Sequence, residues 1–245
     1  MEGWLSSTAG GQLRFETTHW SQVRAAAGQG EKIRDALEDL YHSYCYPVYS
    51  FIRRWGYNRQ DAQDLTHDFF ICLLEKDAFT RAAAGQGKFR TFLLRALEFF
   101  LQHADERARA QKRGGRATLV FLDGDAEEAY QLIDPGLTAE QIFDAQWATR
   151  LVESSLAQLR REMERAGKSE LFDQLSGFLL AGEDSSYLEV AQRTGLTIAA
   201  VKAAIYRLRV RYRELLRNEV ARTVASSADF EAEIRALQAS LSGSQ

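Results

Sequence analysis

The side chains that do covalent or metal chemistry are thinly spread along this chain. His19, His42, His67 and His103 stand far apart, and Cys45 and Cys72 have neither metal-ligand spacing nor a nearby partner. No glycine-rich phosphate loop follows a strand pattern, and no serine or cysteine sits beside a recognisable base. The nearest approach to a ligand set is His67 with Asp64 and Asp68. Helical spacing puts His67 and Asp64 on one face, but one imidazole among carboxylates is the ordinary pattern of a solvated helix. The expectation is a protein that is not an enzyme and uses no metal and no cofactor.

The chemistry that does stand out is ionic. The 245 residues carry a formal net charge of −3, yet the signs are segregated. Lys202 to Arg217 holds six basic residues against Glu214 alone, and Arg107 to Arg116 holds five against no acidic one. Between Asp123 and Asp144 there are seven acidic residues and no basic one. Asp61, Asp64, Asp68 and Glu75 recur at helical spacing along a further acidic stripe. Separate faces of opposite sign serve separate partners. Thr66, set among Asp64, His67 and Asp68, is a candidate phosphosite, because a phosphate there adds about −1.5 to −2 charges to the acidic stripe.

Helices must position these charges. Only Pro47 and Pro135 occur as prolines, and Ala, Leu, Arg, Glu and Gln recur throughout; such side chains lose little rotamer freedom in a helix. The fold class expected is all-α. Ile33, Leu37, Leu40, Tyr41, Tyr44 and Val48 recur at three and four residues, the spacing of one buried helix face. Gly56 stops that helix, Asn58 caps the next, and on it Leu65, Phe69 and Leu73 stack as core. "FRTFLLRALEFFLQHADERARAQKRGG" reads as a long helix whose apolar half gives way to a basic end at Gly114 and Gly115. Residues 116–139 read as an acidic linker with "DPG" in it and a short extended piece at "TLVFL".

A second helical region opens with Thr138 and Gln141, the spacing of a capping box, and Ile142, Trp147, Leu151, Leu156 and Leu159 carry its buried side. Ser169 reads as the cap of a following helix, and Trp20, Trp55 and Trp147 read as core. "YLEVAQRTGLTIAAVKAAIYRLR" then has the spacing of a helix-turn-helix. Ala191 is small where a second helix crosses, Gly195 is free to take positive φ in the turn, Leu196 plugs the core, Thr197 caps, and Val201 and Ile205 face inward. The other face carries Ala199, Ala200, Lys202, Ala203, Tyr206, Arg207 and Arg209. Small residues in front admit a major groove closely and basic ones behind reach phosphates.

Both halves resemble one family. "LYHSYCYPVYSFIRRWGYNRQDAQDLTHDFFICLLE" with "GKFRTFLLRALEFFLQHADERARAQKRGG" is similar to the first conserved domain of bacterial extracytoplasmic-function (ECF) sigma factors, members of the sigma-70 superfamily. "YLEVAQRTGLTIAAVKAAIYRLRVRYRELL" is similar to their second. The resemblance implies two small helical domains joined by a flexible acidic linker: an N-terminal extension 1–30, a region-2-like domain 31–115, the linker 116–139, a region-4-like helix-turn-helix domain 140–218, and a C-terminal extension 219–245. It implies a sigma factor that binds RNA polymerase core and directs promoter-specific transcription initiation.

Carried over to this sequence, Asp61, Asp64 and Asp68 contact core. The loop "FTRAAAGQGKF" captures a flipped minus-ten base, while Arg90, Arg95, Gln102, Arg107, Arg109, Lys112 and Arg113 line the single strand. Thr197, Ala199, Ala200, Lys202, Ala203, Tyr206, Arg207 and Arg209 meet the minus-thirty-five duplex. The chain departs from the family in Ala82, Ala83, Ala84 and "ALEFF", where relatives carry more polar or aromatic groups, so its minus-ten sequence is not legible. The terminal segments resemble extensions of sigma-factor groups linked to Ser/Thr protein kinases, which implies such a kinase or another regulator as a partner. No apolar run approaches the ~20 residues of a membrane span, and the N-terminus lacks a charged-then-apolar signal pattern; the expectation is cytoplasmic, without membrane insertion. Two rivals stand beside the sigma factor: a stand-alone helix-turn-helix regulator, and an interaction protein that binds polymerase without touching DNA.

Overall fold

The computed structural model describes residues 30–75, 87–110, 130, 134–180 and 186–242. The described residues are almost entirely helical, with no strand among them and a single isolated antiparallel bridge between Lys88 and Val224. In chain order the helices are α1 (Gly30–Trp55), α2 (Arg59–Glu75), α3 (Phe89–Ala110), α4 (Ala139–Arg165), α5 (Ser169–Leu175), α6 (Gly177–Leu180), α7 (Tyr187–Thr194), α8 (Ile198–Arg222) and α9 (Ser227–Ser242). None is long and apolar enough to cross a membrane.

The described residues fall into two compact units: those up to Arg150 together with those from Val220 onward, and Leu151–Glu219. The first unit therefore takes in more than 31–115. Residues 139–150 and everything from 220 belong to it as well. The second, Leu151–Glu219, begins eleven residues later than the expected start at 140. The N-terminal extension up to residue 29, most of "FTRAAAGQGKF", "TLVFL", Lys112, Arg113 and most of the acidic linker lie outside the described residues.

In the first unit the inward stripe of α1 is the expected one: Leu40, Tyr44 and Val48 are buried, with Phe51 and Ile52 continuing it. Leu65, Phe69 and Leu73 of α2 are buried against the same core, as are Phe89, Leu93, Leu97 and Leu101 of α3. Phe69 meets Phe70 and Phe100 edge-on at ring separations of 5.6 and 5.5 Å, geometries that add to simple burial. Asn58 Oδ1 accepts from the Asp61 amide at 2.9 Å, the expected cap. The capping box of α4 is reciprocal: the Gln141 amide donates to Thr138 Oγ1 at 3.2 Å and the Thr138 amide to Gln141 Oε1 at 2.8 Å. Arg54, at the end of α1, donates to Leu137 O at 2.8 Å from Nε and also to Pro135 O, fastening the "DPG" turn. Trp147 is buried, but Trp55 is 38% exposed; as the last residue of α1 it lies past the buried stripe and stacks on Phe51 at 5.6 Å. Trp20 lies outside the described residues. Cys45 is buried, and burial pushes its thiol up to about 11; Cys72 is half-buried.

The C-terminal segment is core. Val220, Ala221, Thr223, Val224, Phe230, Ile234 and Leu237 are all buried. Its Glu233, with no exposed surface, receives the Arg90 guanidinium two-fold, from Nε at 3.0 Å and Nη2 at 3.2 Å, and Lys88 Nζ at 3.1 Å. Arg90 also pairs with Asp144 and lies over the Trp147 ring, 4.6 Å from its centroid. Phe89 N donates to Thr223 O at 2.9 Å beside the Lys88–Val224 bridge. Thus α3, α4 and α9 meet at one buried guanidinium.

In the second unit Leu159, Phe172, Leu175, Phe178, Val190, Val201, Ile205, Leu208 and Tyr212 form one apolar cluster. The cap of α5 is Lys168 rather than Ser169, which is already the first helical residue. The preceding turn explains the shift: Gly167 takes φ +67° and the Lys168 amide returns to Met163 O at 2.9 Å, so the chain re-enters helix one residue earlier.

Removing the Glu233 carboxylate strands most of the charge on Arg90 in the core. Glu233→Ala is expected to cost about 3–5 kcal/mol and to lower Tm by roughly 10 °C. The double variant Arg90→Met with Glu233→Met is expected to regain most of that loss, because Lys88 and Asp144 are solvent-accessible enough to turn to water. Thermal unfolding of the three proteins followed by circular dichroism checks both.

Candidate nucleic-acid interface

The chain from Ser186 to Arg222 builds its surface from local rules. Ser186 Oγ accepts from the Glu189 amide at 3.4 Å and starts α7. After Thr194 the chain turns at Gly195 with φ +69°, ψ 11°, a left-handed conformation that costs other residues energy. Thr197 Oγ1 then accepts from the Ala200 amide at 3.2 Å and starts α8. Val190 and Ala191 of α7 and Val201, Ala204, Ile205 and Leu208 of α8 close the packing between the two helices. Leu196, expected to plug this core, is instead 37% exposed. It belongs to neither helix, and the apolar seam is complete without it.

Burying 201, 204, 205 and 208 turns the opposite side of α8 outward. Thr197, Ala199, Lys202, Ala203, Tyr206 and Arg207 are exposed and Ala200 is half-buried; Tyr206 reaches 69% exposure. Spacings of three and four residues make Ala199, Lys202, Ala203 and Tyr206 one stripe. Arg209 is different. It is half-buried, and its Nε and Nη2 donate to Phe178 O at 3.1 and 2.9 Å, tying α8 to α6. Arg211 is also engaged, with Glu162 at 2.7 and 2.8 Å and Glu214 at 3.0 Å. The Arg211 guanidinium holds the Glu162 carboxyl below the usual carboxylate range. Because that value is lowered on folding, this link stabilises above the ordinary Glu range and fades as pH falls through the folded value. The basic run thus divides: Lys202 and Arg207 are presented, while Arg209 and Arg211 are fasteners.

A hollow of about 340 Å³ lies beside the stripe, lined by Tyr187, Lys202, Ile205, Tyr206 and Arg209. The Lys202 ammonium stands over the Tyr187 ring, 5.2 Å from its centroid, and that ring stacks on Phe178 at 5.3 Å with 17° between planes. Tyr187 did not stand out in the sequence.

In the first unit the residues expected to line a single strand part ways. Arg95 and Gln102 are exposed on α3. Arg90 is not on that surface: it is 8% exposed and held by Glu233 and Asp144, because the C-terminal segment supplies a buried carboxylate that the sequence pattern did not connect to it. The side chains of Arg107 and Arg109, with Lys112 and Arg113, lie outside the described residues. Between Arg95 and Gln102 sits a residue the sequence reading missed. Phe99 is 59% exposed, its ring 4.1 Å from that of His103. His103 Nδ1 donates to Phe99 O at 2.9 Å. The spacing 95, 99, 102 is itself a single helical face and was the available signal.

On α2, Asp61 is exposed and Asp64 and Asp68 are half-buried, with Ala62, Leu65 and Phe69 beneath them. Thr66 does not belong to that acidic surface. It is fully buried and its hydroxyl donates to Ala62 O at 2.7 Å, one turn back; a kinase cannot reach it in the folded chain, which corrects the candidate phosphosite. No group of three metal-ligating side chains occurs among the described residues.

No protein-family model, curated protein or solved structure matches the chain.

At Gly195 a built Cβ would meet nothing within 4 Å, so a side chain there is opposed by backbone conformation alone. Gly195→Ala is expected to destabilise by about 1–2 kcal/mol, with Gly195→Asn milder because Asn tolerates the left-handed region. Urea unfolding of both variants tests the ranking.

Proposed function

We propose that the chain is a sigma factor of the extracytoplasmic-function type, which binds RNA polymerase core and directs promoter-specific initiation. The observation that carries the reading is the outer stripe of α8. Small residues Ala199, Ala200 and Ala203 stand with Lys202, Tyr206 and Arg207 on the side left open once Val201, Ile205 and Leu208 are buried. In this reading α7, the Gly195 turn and α8 are a helix-turn-helix that enters the minus-thirty-five major groove, and the expected division at 116–139 moves to the boundary at Leu151, since the described part of 116–139 falls within the first unit.

Two features of the first unit support the rest of the reading. Asp61, Asp64 and Asp68 give α2 an acidic outer side suited to a basic docking surface on polymerase. On α3, Arg95, Phe99 and Gln102 combine a cation, an exposed aromatic ring and an amide on one face, the combination that holds an unpaired strand by charge and stacking. Core polymerase and promoter DNA are the proposed partners, and a regulatory kinase would need a target other than Thr66. The stand-alone regulator is favoured by one observation: Arg90, assigned to the minus-ten strand, is committed to Glu233 and Asp144.

Purified protein added to core polymerase lacking any other sigma factor is expected to yield a specific run-off transcript from genomic fragments. Asp61→Arg is expected to lower that transcript while leaving duplex binding unchanged. Phe99→Ala is expected to weaken open-complex formation by about 1–3 kcal/mol, the worth of one stacked base. Duplex binding without co-elution with core would favour the stand-alone regulator, and core binding without any transcript would favour the interaction protein.

A further inference from the structure

The hollow beside α8 has a composition that names its ligand chemistry. Two cations, Lys202 and Arg209, and two phenols, Tyr187 and Tyr206, line it together with Ile205, and no carboxylate is among the described lining residues. In a chain of net charge −3 that is a local concentration of positive potential.

The hollow is also built by a connected set of contacts. Arg209 grips the carbonyl of Phe178, the Phe178 ring stacks on Tyr187, and the Tyr187 face receives the Lys202 ammonium. Phe178 and Ile205 belong to the buried cluster, so the stack rests on the core of the unit. A lysine is ordinarily a flexible point charge whose ordering opposes binding. Here the aromatic face limits where the ammonium goes before any anion arrives. Tyr206, mostly exposed, is among the lining residues.

We propose that this hollow is a phosphate seat that takes one backbone phosphodiester of the bound duplex, with Tyr187 as a positioning residue that holds Lys202 for it. The proposal rests on the duplex-binding reading of α8 given above and adds to it a residue on α7, outside the groove-facing stripe. At about 340 Å³ the hollow is also near the lower end of small-molecule sites, so the phosphate of a free nucleotide is the other source of the same chemistry.

The test uses the full chain and a fluorescently labelled duplex, with binding followed by anisotropy across a salt series. Wild type, Tyr187→Leu, Tyr187→Phe, Lys202→Gln and the Tyr187→Leu/Lys202→Gln pair are compared, and inorganic pyrophosphate is titrated in a separate arm. Tyr187→Leu and Lys202→Gln are each expected to flatten the plot of log affinity against log salt by about one phosphate's worth of slope. Their combination is expected to flatten it no further, since Tyr187 acts through Lys202. Tyr187→Phe, which keeps the aromatic face, is expected to keep the wild-type slope, an outcome that a loss of fold stability does not imitate. Duplex binding by Tyr187→Leu with the wild-type slope overturns the seat and leaves the reading of α8 standing. Absence of duplex binding by wild type overturns both. Tight, Tyr187-dependent pyrophosphate binding that leaves the duplex slope untouched overturns the phosphodiester in favour of a free phosphate ligand.

Discussion

The first unit is organised around a guanidinium that the family resemblance assigns to the surface. Arg90 sits at the second position of α3, and the resemblance implies that it faces a nucleic-acid strand. Instead it meets Glu233 from α9 in a two-fold hydrogen bond, Asp144 from α4, and the Trp147 ring. A buried charge is tolerated only when its donors are satisfied and its counter-charge is in place. A guanidinium suits this because its planar donors meet a carboxylate edge-on while its face lies on an indole. Once Arg90 is committed inward, three helices distant in sequence are obliged to meet there: α9 must supply Glu233, α4 must supply Asp144 and Trp147, and the start of α3 must sit close enough for Lys88 to reach the same carboxylate. Apolar packing alone specifies no such register, since aliphatic side chains of similar size interchange. The ion pair therefore selects one arrangement of helices more than it adds net stability.

That constraint also explains which parts of the fold were legible. The helices of the first unit announced themselves through local pattern: the stripe from Leu40 to Val48, the Asn58 cap, the Leu65, Phe69 and Leu73 face, and the Thr138–Gln141 box are all rules that operate within a few residues. Gly195, Thr197, Val201 and Ile205 were legible for the same reason. What was not legible depended on pairings across the chain. Arg90 and Glu233 are 143 residues apart, and nothing local to either marks the other. The segment after 219 therefore read as an extension when its Phe230, Ile234 and Leu237 are core. Thr66 failed in a related way. Asp64 and Asp68 stand two residues away on either side, but its position along α2 falls on the same side as Ala62 and Phe69, and helical phase outweighs the company a residue keeps.

The candidate interface was half legible for a different physical reason. Charge can be counted in a sequence, but whether a cation is available depends on the acceptors around it. Along α8 the basic residues look equivalent, yet Arg209 finds the carbonyl of Phe178 and Arg211 finds Glu162, while Lys202 and Arg207 are exposed. The difference follows from position. Arg209 and Arg211 lie far enough along the helix to reach Phe178 of α6 and Glu162 of α4, whereas Lys202 and Arg207 lie on the side opposite the apolar seam. A fastened arginine still contributes its charge to the local potential, but it cannot extend toward a ligand without abandoning hydrogen bonds that a carbonyl would then lack.

The division of labour on α8 gives the exposed stripe its rigidity. Anchoring the helix with Arg209 and Arg211, and burying Val201, Ile205, Leu208 and Tyr212, holds the backbone beneath Ala199, Lys202, Ala203 and Tyr206 in place. On the proposed reading, a surface of this kind gains from such fixation, because side chains already placed lose less freedom on binding. Alanines at three of the front positions serve the same end from the opposite direction, since they have no rotamers to order and keep the helix axis close to whatever it meets. The hollow at Tyr187 then marks where this surface departs from a plain basic helix. An ammonium held on an aromatic face is a charge with a fixed address, and the stack beneath it ties that address to the core of the unit.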